Sequence, residues 1–234
     1  MLSLIIVIVL SYLVGSFPTA MLIGKFFKGI DPRKLGSRNM GSTNAFRVLG
    51  WKLGLLVQAI DIGKGLAATL LISKLFYGKL PFENITPFAD ITLVQIFAGI
   101  AAVVGHVWTI FANFKGGKGI NTTAGVLVSL APIDATISIG IFILVLISSG
   151  YVSLGSITAA FSFPLVMFLR ENVFKVDVNG YHTLIYFSLG LSVFFIYTHR
   201  ANVKRLLTGE ENRFENWWKI RLIKIKAPFR RNKN

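Results

Sequence analysis

Long uncharged runs separated by short polar clusters set the plan of this chain. Leu2–Gly24, Ile91–Phe114, Gly119–Ile133, Ala135–Leu169 and Val178–Thr198 carry no Asp, Glu, Lys or Arg. A helix that crosses a bilayer needs roughly 20 predominantly apolar residues. The pattern therefore predicts an all-α, polytopic membrane helical bundle. Six hydrophobic segments are marked out, at about 2–24, 51–76, 89–112, 121–148, 153–170 and 181–198. The stretch 121–148 holds Pro132 and Asp134 near its middle, where a helix breaks. Splitting it there gives two short helices of about 12 and 16 residues. Half-length helices are tolerated in a membrane only where they line a cavity or pack within protein. The first run has neither a basic leading region nor a small-residue cleavage site, so it reads as a helix that stays.

Charge supplies the orientation. The net charge is +15, and its placement matters more than its size. Lys25, Lys28, Arg33, Lys34, Arg38 and Arg47 lie between the first two segments, and eleven more basic residues lie between Arg200 and Lys233. Basic loops stay on the cytoplasmic side. An even number of crossings would place these two groups on opposite faces, so an odd number is needed. Seven transmembrane helices, some short or broken, satisfy this with the N-terminus outside and the C-terminus cytoplasmic; five is the other odd count. The loops 25–50, 113–120 and 149–153 and the tail from His199 then share the cytoplasmic face. The chain reads as one integral-membrane domain over 1–213 and a basic cytoplasmic tail over 214–234. Anionic headgroups account for such a tail at about 1 kcal/mol per basic residue, and nothing in it calls for nucleic acid. The absence of cysteine excludes disulfides, thiolate metal sites and Cys nucleophiles.

Four segments on that face, and one ionisable pair within the second span, are candidates to carry chemistry. Gly116-Gly117-Lys118-Gly119, after Lys115, joins glycines that can turn backbone N–H groups toward a ligand with two lysines beside a membrane, which suits an anion such as phosphate. It is not a Walker A loop, because Ser or Thr does not follow the lysine. A helix stop with flanking lysines is the plainer account. In the first loop Gly36, Ser37, Asn39, Gly41, Thr43, Asn44 and Arg47 form a dense array of donors; capping residues in an ordinary polar loop would look similar. Asp61 and Lys64 stand three apart on one helix face and can pair, either as functional groups within a span or as a structural ion pair. Ser148 to Ser156 is serine-rich but offers no nearby His–Asp partner. His199, Asn202 and Arg205 recur at intervals of three and can face one site.

What is missing narrows the reaction. The histidines are His106, His182 and His199, and the residues five positions on are Phe111, Phe187 and Lys204, so no His-x4-Asp acyltransferase signature exists. No HExxH, Gly-x-Ser-x-Gly or carboxylate cluster is present, and carboxylate-poor segments point away from a bound metal. Donor-rich loops on one face suit a doubly anionic phosphate compound whose lipid tail lies among the helices. They would also suit a transporter of a phosphorylated solute, or, with the loops unexplained, a basic membrane anchor.

Taken together, the motifs resemble one family. Gly36-Ser37-x-Asn39-x-Gly41-x-Thr43-Asn44-x-x-Arg47, Gly105-His106-x-Trp108 with Phe114-Lys115-Gly116-Gly117-Lys118-Gly119, and His199-Arg200-x-Asn202-x-x-Arg205-Leu206 closely resemble the PlsY-type acyltransferases. Gly15-Ser16-x-Pro18-Thr19-Ala20 and Asp61-x-x-Lys64-Gly65 fit as well, so the likeness runs from the first helix to about residue 213. Thr109 replaces the proline common after the aromatic residue, and Met40 and Ser42 replace the usual Pro and Ala. The resemblance implies transfer of an acyl group from acyl phosphate to the 1-hydroxyl of glycerol 3-phosphate, giving lysophosphatidate and phosphate in a bacterial inner membrane. It implies no cofactor, and neither CoA nor acyl carrier protein as direct donor. Ser37, Arg47, Lys118, Ser153 and His199 are the expected catalytic residues. Gly36, Asn39, Gly41, Thr43, Asn44, Asp61, Lys64, His106, Lys115, Gly116, Gly117, Gly119, Asn202 and Arg205 are expected to bind the substrates or their phosphates. A substrate phosphate is expected to take the hydroxyl proton, with His106 or His199 as the competing base.

Overall fold

The computed structural model describes residues 2–86 and 88–214, and all regular structure among them is helical. The helices are α1 (Leu2–Ser16), α2 (Thr19–Lys28), α3 (Ser42–Leu49), α4 (Trp51–Leu70), α5 (Asp90–Val107), α6 (Ile120–Leu130), α7 (Pro132–Ser149), α8 (Val152–Phe168) and α9 (Tyr181–Leu207). The tail expected over 214–234 lies outside the described residues except for Phe214.

Proline and glycine place the breaks. Pro18 has no N–H and crowds the residue before it, so the first apolar run divides into α1 and α2. Gly29, in the left-handed region at φ 64°, then ends α2: its N–H returns to the Lys25 carbonyl and that of Ile30 to the Gly24 carbonyl. Pro132 opens α7 at its first position, where its missing N–H is not needed, and Asp134 sits in the first turn beside the positive end of the helix dipole. The expected split at Pro132 is thus present, but its halves are unequal. α7 runs for 18 residues and is long enough to cross a membrane, whereas α6 has 11. At about 1.5 Å per residue, α6 falls well short of a bilayer core roughly 30 Å thick. Among the described residues, six segments are long and apolar enough to cross: Leu2–Lys28, Trp51–Leu75, Asp90–Ala112, Pro132–Ser149, Val152–Val173 and Tyr181–Leu207.

The helices pack where side chains are smallest. A Cβ added to Gly15 of α1 would overlap the backbone of Ala102 in α5, and one on Gly105 would meet the Tyr12 carbonyl. Gly65 of α4 lies equally close to the Thr122 carbonyl of α6, and Gly125 to the Ile62 carbonyl. Such pairs let backbones approach in a setting where burial from water gives no drive. Leu4, Val7, Phe88, Val94, Phe163, Met167 and Leu184 form the main apolar core. It fills the end of the bundle that carries the loops near 77–88 and 171–180, where Ser3 Oγ donates to the Tyr77 carbonyl. Ile133, Ile137, Leu144 and Ile147 leave α7 apolar on its outer side, as a lipid-facing helix requires.

Candidate active site

At the opposite end the polar loops converge on one cavity of about 950 Å³. Its polar wall includes Ser37, Asn39, Thr43, Asn44 and Arg47 around α3, with Gln58 and Asp61 from α4 and His106 from α5. Lys118, Gly119 and Asn121 enter from the start of α6, Ser153 and Ser156 from α8, and His199, Asn202 and Arg205 from α9. Phe46, Trp51, Phe142, Ile143, Leu146 and Val152 supply an apolar wall. A head that carries phosphate and a tail of hydrocarbon can each find a matching surface.

The first loop is built around Asn44, which is 1% exposed. Its Oδ1 accepts the Ser37 N–H at 2.8 Å, and its Nδ2 faces the carbonyls of Pro32, Leu35 and Asn39 at 2.9, 3.2 and 3.0 Å. Gly36, at φ 58°, passes so close that a Cβ would overlap Asn44 Oδ1. Asn39 Oδ1 accepts the Gly41 N–H at 2.8 Å. This bracing holds Ser37 at the cavity, and Asn121 Nδ2 donates to Ser42 Oγ to tie α6 to α3.

The cations cluster around one carboxylate. Arg205 Nε and Asn202 Nδ2 each donate to Glu211 at 2.8 Å. Lys118 Nζ donates to Asn202 Oδ1, and Arg47 Nη2 reaches the Asn212 carbonyl at 3.4 Å. Burial pushes the Lys118 ammonium down to about 8; Glu211 opposes this, and Arg205 and Arg47 add to it. Burial also lowers the Arg47 guanidinium from its ordinary value, again against Glu211. A phosphate placed here meets cations held together at a desolvation cost. His199 Nδ1 lies 3.0 Å from the Phe195 carbonyl, which can only accept, so that nitrogen carries the proton and Nε2 keeps its lone pair. Ser153 Oγ is buried and has no hydrogen-bond partner among the described residues.

Five of the expected residues stand outside this cavity. Lys115 is exposed away from it, and Gly36 serves the turn described above. Gly116 and Gly117 donate their N–H groups to the carbonyls of Val107 and His106 at 3.0 and 3.1 Å, so these amides are spent within the turn instead of being offered to a ligand. Lys64 pairs with Asp61 at 2.8 Å behind the wall. In the other direction, Gln58, Asn121 and Glu211 were not among the expected residues. Gly209, at φ 73°, turns the chain back after α9. Glu211 can then enter, Arg213 lies over the Tyr151 ring, and the Phe214 N–H donates to the Gly150 carbonyl at 2.7 Å. An acidic residue within a basic tail was the one signal for Glu211.

Known proteins are similar to this chain in sequence and in fold. The glycerol-3-phosphate acyltransferase family profile matches residues 5–209. A glycerol-3-phosphate acyltransferase of Chlorobaculum tepidum is 47% identical over 228 residues, covering 91% of this chain and 97% of that protein. Its counterpart in Chlorobium phaeobacteroides is 45% identical over 235 residues, with 92% and 98% covered. The crystal structure of PlsY, an integral membrane glycerol 3-phosphate acyltransferase, in its glycerol 3-phosphate form superposes with a TM-score of 0.75 at 35% identity, covering 92% of this chain and 96% of that one. Its lysophosphatidic acid form gives 0.73 at 34% identity, with 90% and 95% covered. The chain therefore belongs to the PlsY-type glycerol-3-phosphate acyltransferase family.

Proposed function

We propose that this protein transfers a fatty acyl group from acyl phosphate to the 1-hydroxyl of glycerol 3-phosphate. The hydroxyl oxygen bonds to the acyl carbon, the acyl–phosphate C–O bond breaks, and lysophosphatidate and inorganic phosphate leave. The observation that carries the reading is the single cavity in which Arg47, Lys118, Arg205 and Ser37 face Phe46, Trp51, Phe142 and Leu146. Relatives named for glycerol 3-phosphate, and a neighbour with lysophosphatidic acid, fit the acceptor and the product. Acyl phosphate is already activated, so positioning supplies much of the acceleration. Arg47 and Lys118 stabilise the charge that develops on oxygen, with Ser37, Ser153 and Asn202 completing the donor set. A substrate phosphate takes the hydroxyl proton.

In the membrane the chain makes seven crossings, counting short α6, with the N-terminus outside and the cavity at the cytoplasmic face of a bacterial plasma membrane. The test is phosphate release by purified protein in lipid with palmitoyl phosphate and glycerol 3-phosphate. Release is expected to require both substrates and to fail in Lys118→Ala. Silence with palmitoyl phosphate, palmitoyl-CoA and palmitoyl acyl carrier protein alike would overturn the reading.

A further inference from the structure

A charged network underlies the cavity wall: Asp61 and His106 line the cavity, while Lys64 and Thr19 lie behind them. Lys64 is 5% exposed and Asp61 is 1% exposed. Lys64 Nζ meets Asp61 Oδ1 at 2.8 Å, the Phe17 carbonyl at 2.9 Å, Thr19 Oγ1 at 3.3 Å and His106 Nδ1 at 3.3 Å. Thr19 Oγ1 donates to Asp61 Oδ1 at 2.8 Å. One ammonium thus joins α4, the break between α1 and α2, and α5. Asp61 Oδ2 is buried with no hydrogen-bond partner among the described residues. A buried ion pair with an orphaned oxygen stabilises a fold poorly compared with apolar packing, so its return is in geometry.

That geometry leads to Lys118. An ammonium has protons and no lone pair, so His106 Nδ1 accepts from Lys64 and the ring proton resides on Nε2. Nε2 lies against Gly117, where an added Cβ would overlap it. The Gly117 N–H returns to the His106 carbonyl and the Gly116 N–H to that of Val107. The turn is wrapped around the His106 residue, and the next residue in the chain is Lys118. We propose that Lys64, braced by Asp61 and Thr19, is a positioning residue: it fixes the His106 ring and, through that ring, the turn that presents Lys118. The inference rests on the acyl-transfer reading and adds that His106, its Nδ1 engaged and its Nε2 protonated, is not the base.

The test is the pH dependence of kcat/KM for phosphate release in Lys64→Met and Thr19→Val. Lys118 is faced by Arg47 of α3, Arg205 and His199 of α9, and Glu211 beyond α9. Its basic limb therefore reports how tightly the turn holds it among them. Lys64→Met is expected to lower kcat/KM at least tenfold and to move the limb upward from near pH 8, because water reaches a loosened Lys118. Thr19→Val keeps both charges and is expected to act in the same direction less strongly. Reduced activity with an unmoved limb would mean packing alone and overturn the inference, as would near-normal kinetics. If Lys64→Met does not fold, the limb of Thr19→Val decides by the same criterion. Silent wild-type protein would overturn the acyl-transfer reading and this inference with it, whereas an active wild type with unmoved limbs overturns the inference alone.

Discussion

Lys118 and Arg47 illustrate how far a single residue can be read. Lys118 stands in a glycine-rich loop and Arg47 on α3 beside a hydroxyl-rich one, and both line the cavity. The lowered Lys118 value sets a pH prediction. Below about 8 the free enzyme carries the ammonium and binds phosphate; as pH climbs through 8 the charge is lost and kcat/KM for glycerol 3-phosphate falls. Because kcat/KM follows the free enzyme, Lys118→Arg, charged throughout, is expected to remove that limb even if turnover drops. Arg47→Lys is expected to lower kcat/KM about tenfold or more, since a bidentate fork becomes a point charge; near-normal kinetics would remove Arg47 from the site. His199→Gln is expected to cost less than the roughly 10²-fold typical of losing a general base. A larger loss of turnover with binding intact would shift the proton from substrate phosphate to His199 Nε2. Asn44 and Glu211 were harder to read. Asn44 looked like one more donor in a polar loop, yet its amide is consumed in bracing the carbonyls of residues 5 to 12 positions away. Glu211 acquires its role only through the turn at Gly209, and local sequence does not show which side chains that turn will meet.

Among the elements, the helices were legible wherever punctuation was strong. Charge-free runs marked the spans other than the second, which holds Lys52, Asp61, Lys64 and Lys74, and Pro132 marked the division between α6 and α7. What the hydrophobic pattern could not show was pairing. The close approaches of α1 to α5 and of α4 to α6 depend on which glycines come face to face, a fact of tertiary register and not of periodicity. Gly65 and Gly63 separate the two kinds. A Cβ on Gly65 would run into the Thr122 carbonyl, a rigid obstacle, whereas one on Gly63 meets nothing within 4 Å. Gly65→Val is therefore expected to lower stability by about 1–3 kcal/mol or more through overpacking, read as a lower midpoint of thermal unfolding in detergent. Gly63→Ala is expected to hold or raise that midpoint, because alanine favours a helix interior. Equal tolerance at both positions would show that α4 and α6 can separate without cost.

For the whole molecule, the decisive property is that its candidate site lies at one end. The cavity gathers the 37–47, 118–121, 152–156 and 198–214 segments, while Leu4, Val7, Phe88, Phe163 and Met167 close the opposite end with packed apolar side chains. A transporter must open a polar path to both faces, and this core stands in its way. The charge asymmetry that set the orientation in sequence now has a structural counterpart, since the basic first loop and the start of the tail meet in one place. The cysteine-free chain allows a clean test. Lys115 is exposed beside the site loops but outside the cavity, and Lys175 is exposed in a loop at the other end. In intact cells, a membrane-impermeant maleimide is expected to label Lys175→Cys directly and Lys115→Cys only after permeabilisation. The reversed pattern would invert the topology and place the cavity outside, where cytosolic glycerol 3-phosphate could not reach it. Labelling of Lys115→Cys from both sides would require a path through the bundle and return transport to first place.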